Sequence, residues 1–280
     1  MRLAILVAPI VLAAAVLASA GAAAAAPSVE IRDAVVRVTV IPEDRADIKV
    51  EMLTVNKDLP LEVRISGSET IIDGGLRHRI RDCHTHGDHP AVGVRGVGSV
   101  RYEDMPQVVI HTPKAVMVEA GGAAIGSIGR SASLDLSNSG CSEWTVADVA
   151  GDTVLRESGV GNVRMGASGR LDLRLSGAGG VHATNVHQGL DATLSGAGGV
   201  TIDQLTGAIQ AHISGAGHVK VIQGHAGAIR ASVSGVGSVD FGGQAESLDA
   251  QISGIGGIRV KEVTGQVTKS VSGIGHVTVG

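Results

Sequence analysis

Residues 171–219 read LDLRLSGAGG VHATNVHQGL DATLSGAGGV TIDQLTGAIQ AHISGAGHV. The hexapeptide Ser-Gly-x-Gly-x-Val occurs in this stretch at Ser176, Ser195 and Ser214. Ending in Val or Ile, it starts again at Ser158, Ser234, Ser253 and Ser272. The steps between successive copies are 18, 19, 19, 20, 19 and 19 residues. A weaker copy begins at Ser139, and a decayed one, Ala-Gly-Gly-Ala-Ala-Ile, begins 19 residues earlier at Ala120. So constant a period marks an architecture of stacked units, each unable to bury its apolar face alone.

The columns between the copies show what each unit is. Leu171, Leu190, Ile209, Ile229, Leu248 and Val267 fall in one column. Two residues on come Leu173, Ala192, Ala211, Ala231, Ala250 and Lys269, and two further on Leu175, Leu194, Ile213, Val233, Ile252 and Val271. The residues between them are polar, as in Asp191 and Thr193 or Gln210 and His212. Apolar–polar alternation of period two is a strand with one face buried. A second short strand follows each hexapeptide, as in Val200-Thr201-Ile202 and Ile258-Arg259-Val260. Two or three short strands with glycine corners fit one coil of a parallel β-helix. The leucine-rich repeat is the alternative, but its L-x-x-L-x-L-x-x-N consensus and any helical period are missing. Glycine at the corners is expected to supply positive φ and close stacking of coils. Lys269 in the alanine column suits a last coil whose open end lets the ammonium reach water.

Composition agrees. The 280 residues include 41 Gly, 7 Pro and three aromatics, Tyr102, Trp144 and Phe241. Every proline lies at or before Pro113, as expected if nearly every later N–H donates to a neighbouring coil. With so few aromatics, stacking platforms for sugars or single-stranded nucleic acid are scarce. The net charge of −4 argues against a nucleic-acid partner.

Residues 1–26 read as a signal peptide, with Arg2 as the basic start, an apolar run from Leu3 to Leu17, and small residues from Ser19 to Ala26. Cleavage is expected between Ala20 and Ala26. A retained anchor is the alternative, although the run is short for a span of about 20 residues. No later segment is apolar enough to span a membrane, so the expected location is the periplasm or the cell exterior.

Residues 27–119 are less regular. Val36–Val40 and Ile48–Met52 read as strands of a hairpin or of an irregular first coil, and Leu61–Ile65 and Gln107–Ile110 read as further strands. Arg77–Asp104 shows no long apolar pattern and reads as a surface loop bearing histidines and a cysteine. The repeat β-helix proper is expected over residues 120–280.

This order of features resembles the GIN-domain family, the autotransporter adhesin head domain of bacterial envelope proteins. The resemblance rests on Ile65-Ser66-Gly67-Ser68 with Gly74-Gly75-Leu76, then Met105-Pro106-Gln107-Val108 with Thr112-Pro113-Lys114, followed by the Ser-Gly-x-Gly-x-Val ladder. It implies an all-β, right-handed parallel β-helix, an exported location and no catalytic residues. Relatives often carry Asp in the corner, where this chain has Gly180, Gly199, His218, Ser238, Gly257 and His276. An acidic ladder for ions or partners is therefore missing.

The two cysteines, Cys83 and Cys141, sit in an oxidising compartment if the chain is exported. A disulfide between them is the expected state, with two buried thiols or an intermolecular bridge as alternatives. The best metal candidates are His84, His86 and His89 beside Cys83, with His78 upstream. Their spacing matches no structural zinc signature, so no metal or other cofactor is expected. The corners also lack the Asp of a calcium-binding β-roll, and no strand–turn–helix unit surrounds the Gly-x-Gly pairs. Asp172 and Asp191 would be adjacent on neighbouring coils about 4.8 Å apart and could share a proton. An ordinary solvated face explains them more simply. The function expected is a non-enzymatic exported envelope scaffold that contacts an envelope protein or a surface polysaccharide. The rivals are a polysaccharide-active β-helix enzyme (lyase or hydrolase) and a periplasmic metal-binding protein.

Overall fold

The structure is a computed structural model, and it describes residues 25–84 and 91–280. Of the expected signal peptide, residues 1–24 lie outside the described residues. Strand makes up 74% of the described residues, wound as a β-solenoid of about nine turns with coils of about 19 residues. No helix among the described residues is long and apolar enough to cross a membrane.

Two walls carry the coils. In the first, Leu171–Leu175 stacks in parallel on Leu190–Leu194, which stacks on Ile209–Ile213, with Leu171, Leu190 and Ile209 as register partners. The ladder continues through Ile229, Leu248 and Val267. In the second wall Val163, Val181, Val200, Val219, Val239, Ile258 and Val277 stack in the same way. The alternating residues point inward as the sequence predicts. Leu173, Ala192, Ala211, Ala231 and Ala250 are all buried, and the alanines leave room for the leucines and valines of the facing wall. On the last coil Lys269 is exposed, and its Nζ donates to the Val277 carbonyl.

Of the two roles expected for the corner glycines, close stacking is the one that dominates. Close approach requires them at most corners, not left-handed backbone. A Cβ on Gly196 would sit 2.0 Å from the carbonyl oxygen of Gly177 on the coil before it. Any side chain there would push the coils apart and break the ladder.

Parallel stacking begins well before residue 120. The Ser28–Glu43 strand pairs in parallel with Glu69–Asp73, Gln107–Pro113 and Ala115–Ile128. It forms no hairpin with Lys49–Thr54, which pairs antiparallel with Gln107–Pro113. Of the two readings for this region, the irregular first coil is the one observed. Val29, Ile31, Val36, Val38 and Val40 belong to the same apolar core as the later coils.

Arg77–Asp104 is not a bare surface loop. A short 3-10 turn at Arg77–Arg79 leads into an antiparallel sheet of Ile80–His84, Ala91–Val94 and Gly98–Arg101. This side lobe has its own small core: Leu59, Leu76, Val92, Val94, Val100 and Met105 pack against Val35 and Ala123 of the solenoid. Its apolar residues are few and separated by glycines and arginines, so no periodic pattern emerges from the sequence.

Candidate functional site

The lobe is fastened to the solenoid by the Cys83–Cys141 disulfide, with Cα atoms 5.8 Å apart and a separation of 58 in sequence. Cys141 pairs with Val160 on the next coil, and Val160 with Ala178. The bridge thus occupies the outward position that begins each hexapeptide strand. An open groove of about 610 Å³ runs over the lobe sheet, lined by Arg81, Asp82, Gly93, Arg95, Gly98 and Ser99.

The metal candidates can be placed only in part. His78 is exposed on the 3-10 turn. The side chain of His84, and all of His86 and His89, lie outside the described residues. Cys83 is committed to the disulfide, so its sulfur is not a thiolate ligand. Among the described residues no group of three or more His, Cys, Asp or Glu could hold a metal ion.

Asp172 and Asp191 are register partners, as expected. Each faces its own cation: Asp172 lies 3.6 Å from Arg174, and Asp191 lies 3.7 Å from Arg170. Each carboxylate thus has a guanidinium of its own beside it. The column is therefore a charged outer surface, with Gln210, Arg230 and Asp249 continuing it.

A second outward column is apolar throughout. Ala178, Ala197, Ala216, Val236, Ile255 and Ile274 stack on successive coils. They grow in size along the chain, and Val236, Ile255 and Ile274 are 57%, 52% and 76% exposed. Glycines flank them, leaving a shallow groove of about 730 Å³. The imidazole of His218 lies over Gly199, where a Cβ would come within 2.2 Å of the ring.

One arrangement escaped sequence reasoning. Trp144, Asn138 and Glu157 form a chain inside the solenoid. Trp144 Nε1 donates to Asn138 Oδ1 at 2.9 Å, and Asn138 Nδ2 donates to Glu157 Oε1. All three side chains are buried. Burial pushes the Glu157 carboxyl up to about 7, against the opposing pull of the Asn138 hydrogen bond. The indole lies over Gly126, where a Cβ would meet the ring at 2.3 Å. The signal was present in the period: continuing the Leu175 column back by one and two coils lands on Glu157 and then Asn138. The acid is enclosed within the solenoid, Glu157 being 5% exposed.

No family model matches the chain, and no curated protein matches it. Among solved structures, one from Parabacteroides distasonis described as a "putative lipid binding protein" is 18% identical over 90% of this chain and 93% of that chain, with a TM-score of 0.41. Another, from Clostridium sporogenes, is described as a "putative cell adhesion protein". It is 12% identical over 78% of this chain and 93% of that chain, with a TM-score of 0.23. Neither likeness is strong enough to transfer a role.

Proposed function

We propose that this chain is an exported, non-enzymatic β-helical scaffold of the bacterial envelope, holding envelope proteins or surface polysaccharides on its outer faces, as a member of the GIN-domain family it resembles. The observation that carries the reading is the register of the outward columns. From Ala178 to Ile274 and from Asp172 to Asp249, the same outward position recurs coil after coil. A parallel ladder spaces these positions about 4.8 Å apart, so an extended partner meets a repeating array. The disulfide supports an oxidising location, since such bonds persist outside the cytosol.

The test is retention of envelope fractions on the immobilised mature chain, with bound protein and bound carbohydrate measured separately. The reading expects saturable retention of a defined component, competed by the same component in solution. Absence of any saturable retention would contradict it.

A further inference from the structure

The side lobe carries a charge distribution unlike the rest of the molecule. On the solenoid and its first coil, most surface arginines face a carboxylate: Arg45 with Glu43 and Asp47, Arg64 with Asp73, Arg156 with Asp135, Arg259 with Asp240. In the lobe, Arg77, Arg79, Arg81 and Arg95 are exposed and form no ion pair among the described residues. Among the described residues Asp82 is the one carboxylate lining the groove beside them; Glu103 is exposed at the far end, where Asp104 is taken by Arg101 at 3.0 Å. Arg79 and Arg95 are held together: the Arg95 N–H donates to the Arg79 carbonyl at 2.8 Å, and Arg79 Nε donates to the Arg95 carbonyl at 3.0 Å. Arg81 and Arg95 both line the groove; Gly98 leaves its floor open, and the Asp82 carboxylate lies over Gly93, between the two strands. In a chain of net charge −4, this is a locally cationic, concave surface.

Its surroundings narrow the occupant. Large hydrophobic side chains are exposed elsewhere on the molecule, but none of them falls between residues 77 and 104 among the described residues. The described part of the lobe thus presents no large exposed apolar side chain to insert into lipid. Of the three Phe, Trp and Tyr side chains, Trp144 and Phe241 are buried, and Tyr102 is half-buried with the Arg37 guanidinium over one face at 5.0 Å from its centroid. What remains is ionic recognition of a hydrophilic polyanion. The planar guanidinium fork matches a carboxylate with two parallel hydrogen bonds, and the open groove admits a chain that continues past it.

We propose that the lobe groove binds an acidic polysaccharide, setting its carboxylates against Arg81 and Arg95. The proposal rests on the scaffold reading and names the chemistry of one partner. The disulfide then fixes the site on the solenoid.

The test is a titration of the mature chain with polygalacturonate, with neutral dextran and phosphatidylcholine–phosphatidylglycerol vesicles as comparison probes. Binding to polygalacturonate alone is expected, weakening steeply as salt rises from 50 to 500 mM, as screening demands. The double variant Arg81→Gln, Arg95→Gln should lose at least tenfold in affinity with an unchanged unfolding midpoint, while Arg230→Gln on the solenoid wall should bind as the parent does. Equal binding of dextran, preference for the vesicles, salt-independent binding, or an unaffected double variant would each overturn it. Retention of an envelope component by the double variant at parental strength, with polygalacturonate binding absent from the parent, would reject this site and leave the scaffold reading standing.

Discussion

Asn138 and Glu157 sit one above the other inside the solenoid as register partners on successive coils, and the Asn138 amide donates to the Glu157 carboxyl. In every later coil that column is aliphatic, from Leu175 to Ile252. A carboxyl stacked among leucines is tolerated when protonated and costly when charged, because no buried side chain among the described residues is a lysine or arginine.

That cost gives stability a defined pH dependence. The Glu157 carboxyl titrates near 7 in the folded chain against an ordinary value of 4.5. Between those two values the folded state holds a proton that the unfolded state has released, so stability falls as pH rises through this window and levels off above it. The full loss is about 3 kcal/mol. Glu157→Gln keeps the acceptor for Asn138 and should remove most of the slope, leaving the variant more stable than the parent at pH 8. Unfolding midpoints measured from pH 4 to 8 check this, and parallel curves for parent and variant would refute it.

The inward alanine column gives a sharper test of register. Ala211 is 2% exposed, and its neighbour Gln210 faces solvent. Ala211→Asp should destabilise by about 3 kcal/mol or more, as an unpaired carboxylate enters the core. Gln210→Asp should stay within about 0.5 kcal/mol of the parent. Denaturant titration of both variants decides the matter, and equal tolerance would move the strands out of register.

Close approach at the corners predicts an equally large contrast between two glycines. A methyl at Gly196 meets the Gly177 carbonyl, whereas at Gly227 it meets nothing nearer than the Glu246 carboxylate at 3.9 Å. Gly196→Ala should cost about 2 kcal/mol or more, and Gly227→Ala should be close to neutral. Thermal unfolding of the pair checks the expectation.

Reduction of Cys83–Cys141 should act locally. The bridge closes a loop 58 residues apart in sequence, and a bond of this kind contributes about 2–4 kcal/mol. The small lobe core should loosen while the solenoid keeps its ladder. Amide exchange is expected to rise in residues 91–101 on reduction and to stay unchanged in residues 171–260. Uniform acceleration across both would show that the bridge supports the whole fold.

The solenoid was legible because each coil repeats the same demands: an inward aliphatic at every second residue and a glycine wherever two corner backbones touch. Leu171, Leu190 and Ile209 announce one another at 19-residue steps. The first coil was harder to see, since Ser28–Glu43 is paired to strands far along the chain and its neighbours arrive by irregular connections. The lobe was missed because Val92, Val94 and Val100 are too few to set a period, and their packing partners Leu59 and Val35 lie far away in sequence. The cysteine pairing was correctly expected from number and compartment. The cationic groove was not, because the pairing of Arg79 with Arg95 is a tertiary fact that no spacing encodes.

The central claim is that this molecule holds an envelope polymer without altering it. The most direct measurement incubates the mature chain with a saturating amount of acidic polysaccharide and follows two quantities together over hours: the fraction of protein bound and the length distribution of the polymer. The account predicts salt-sensitive binding with polymer length and reducing-end count unchanged. Progressive shortening of the polymer, or the appearance of new chain ends in proportion to protein added, would contradict it and make the chain an enzyme.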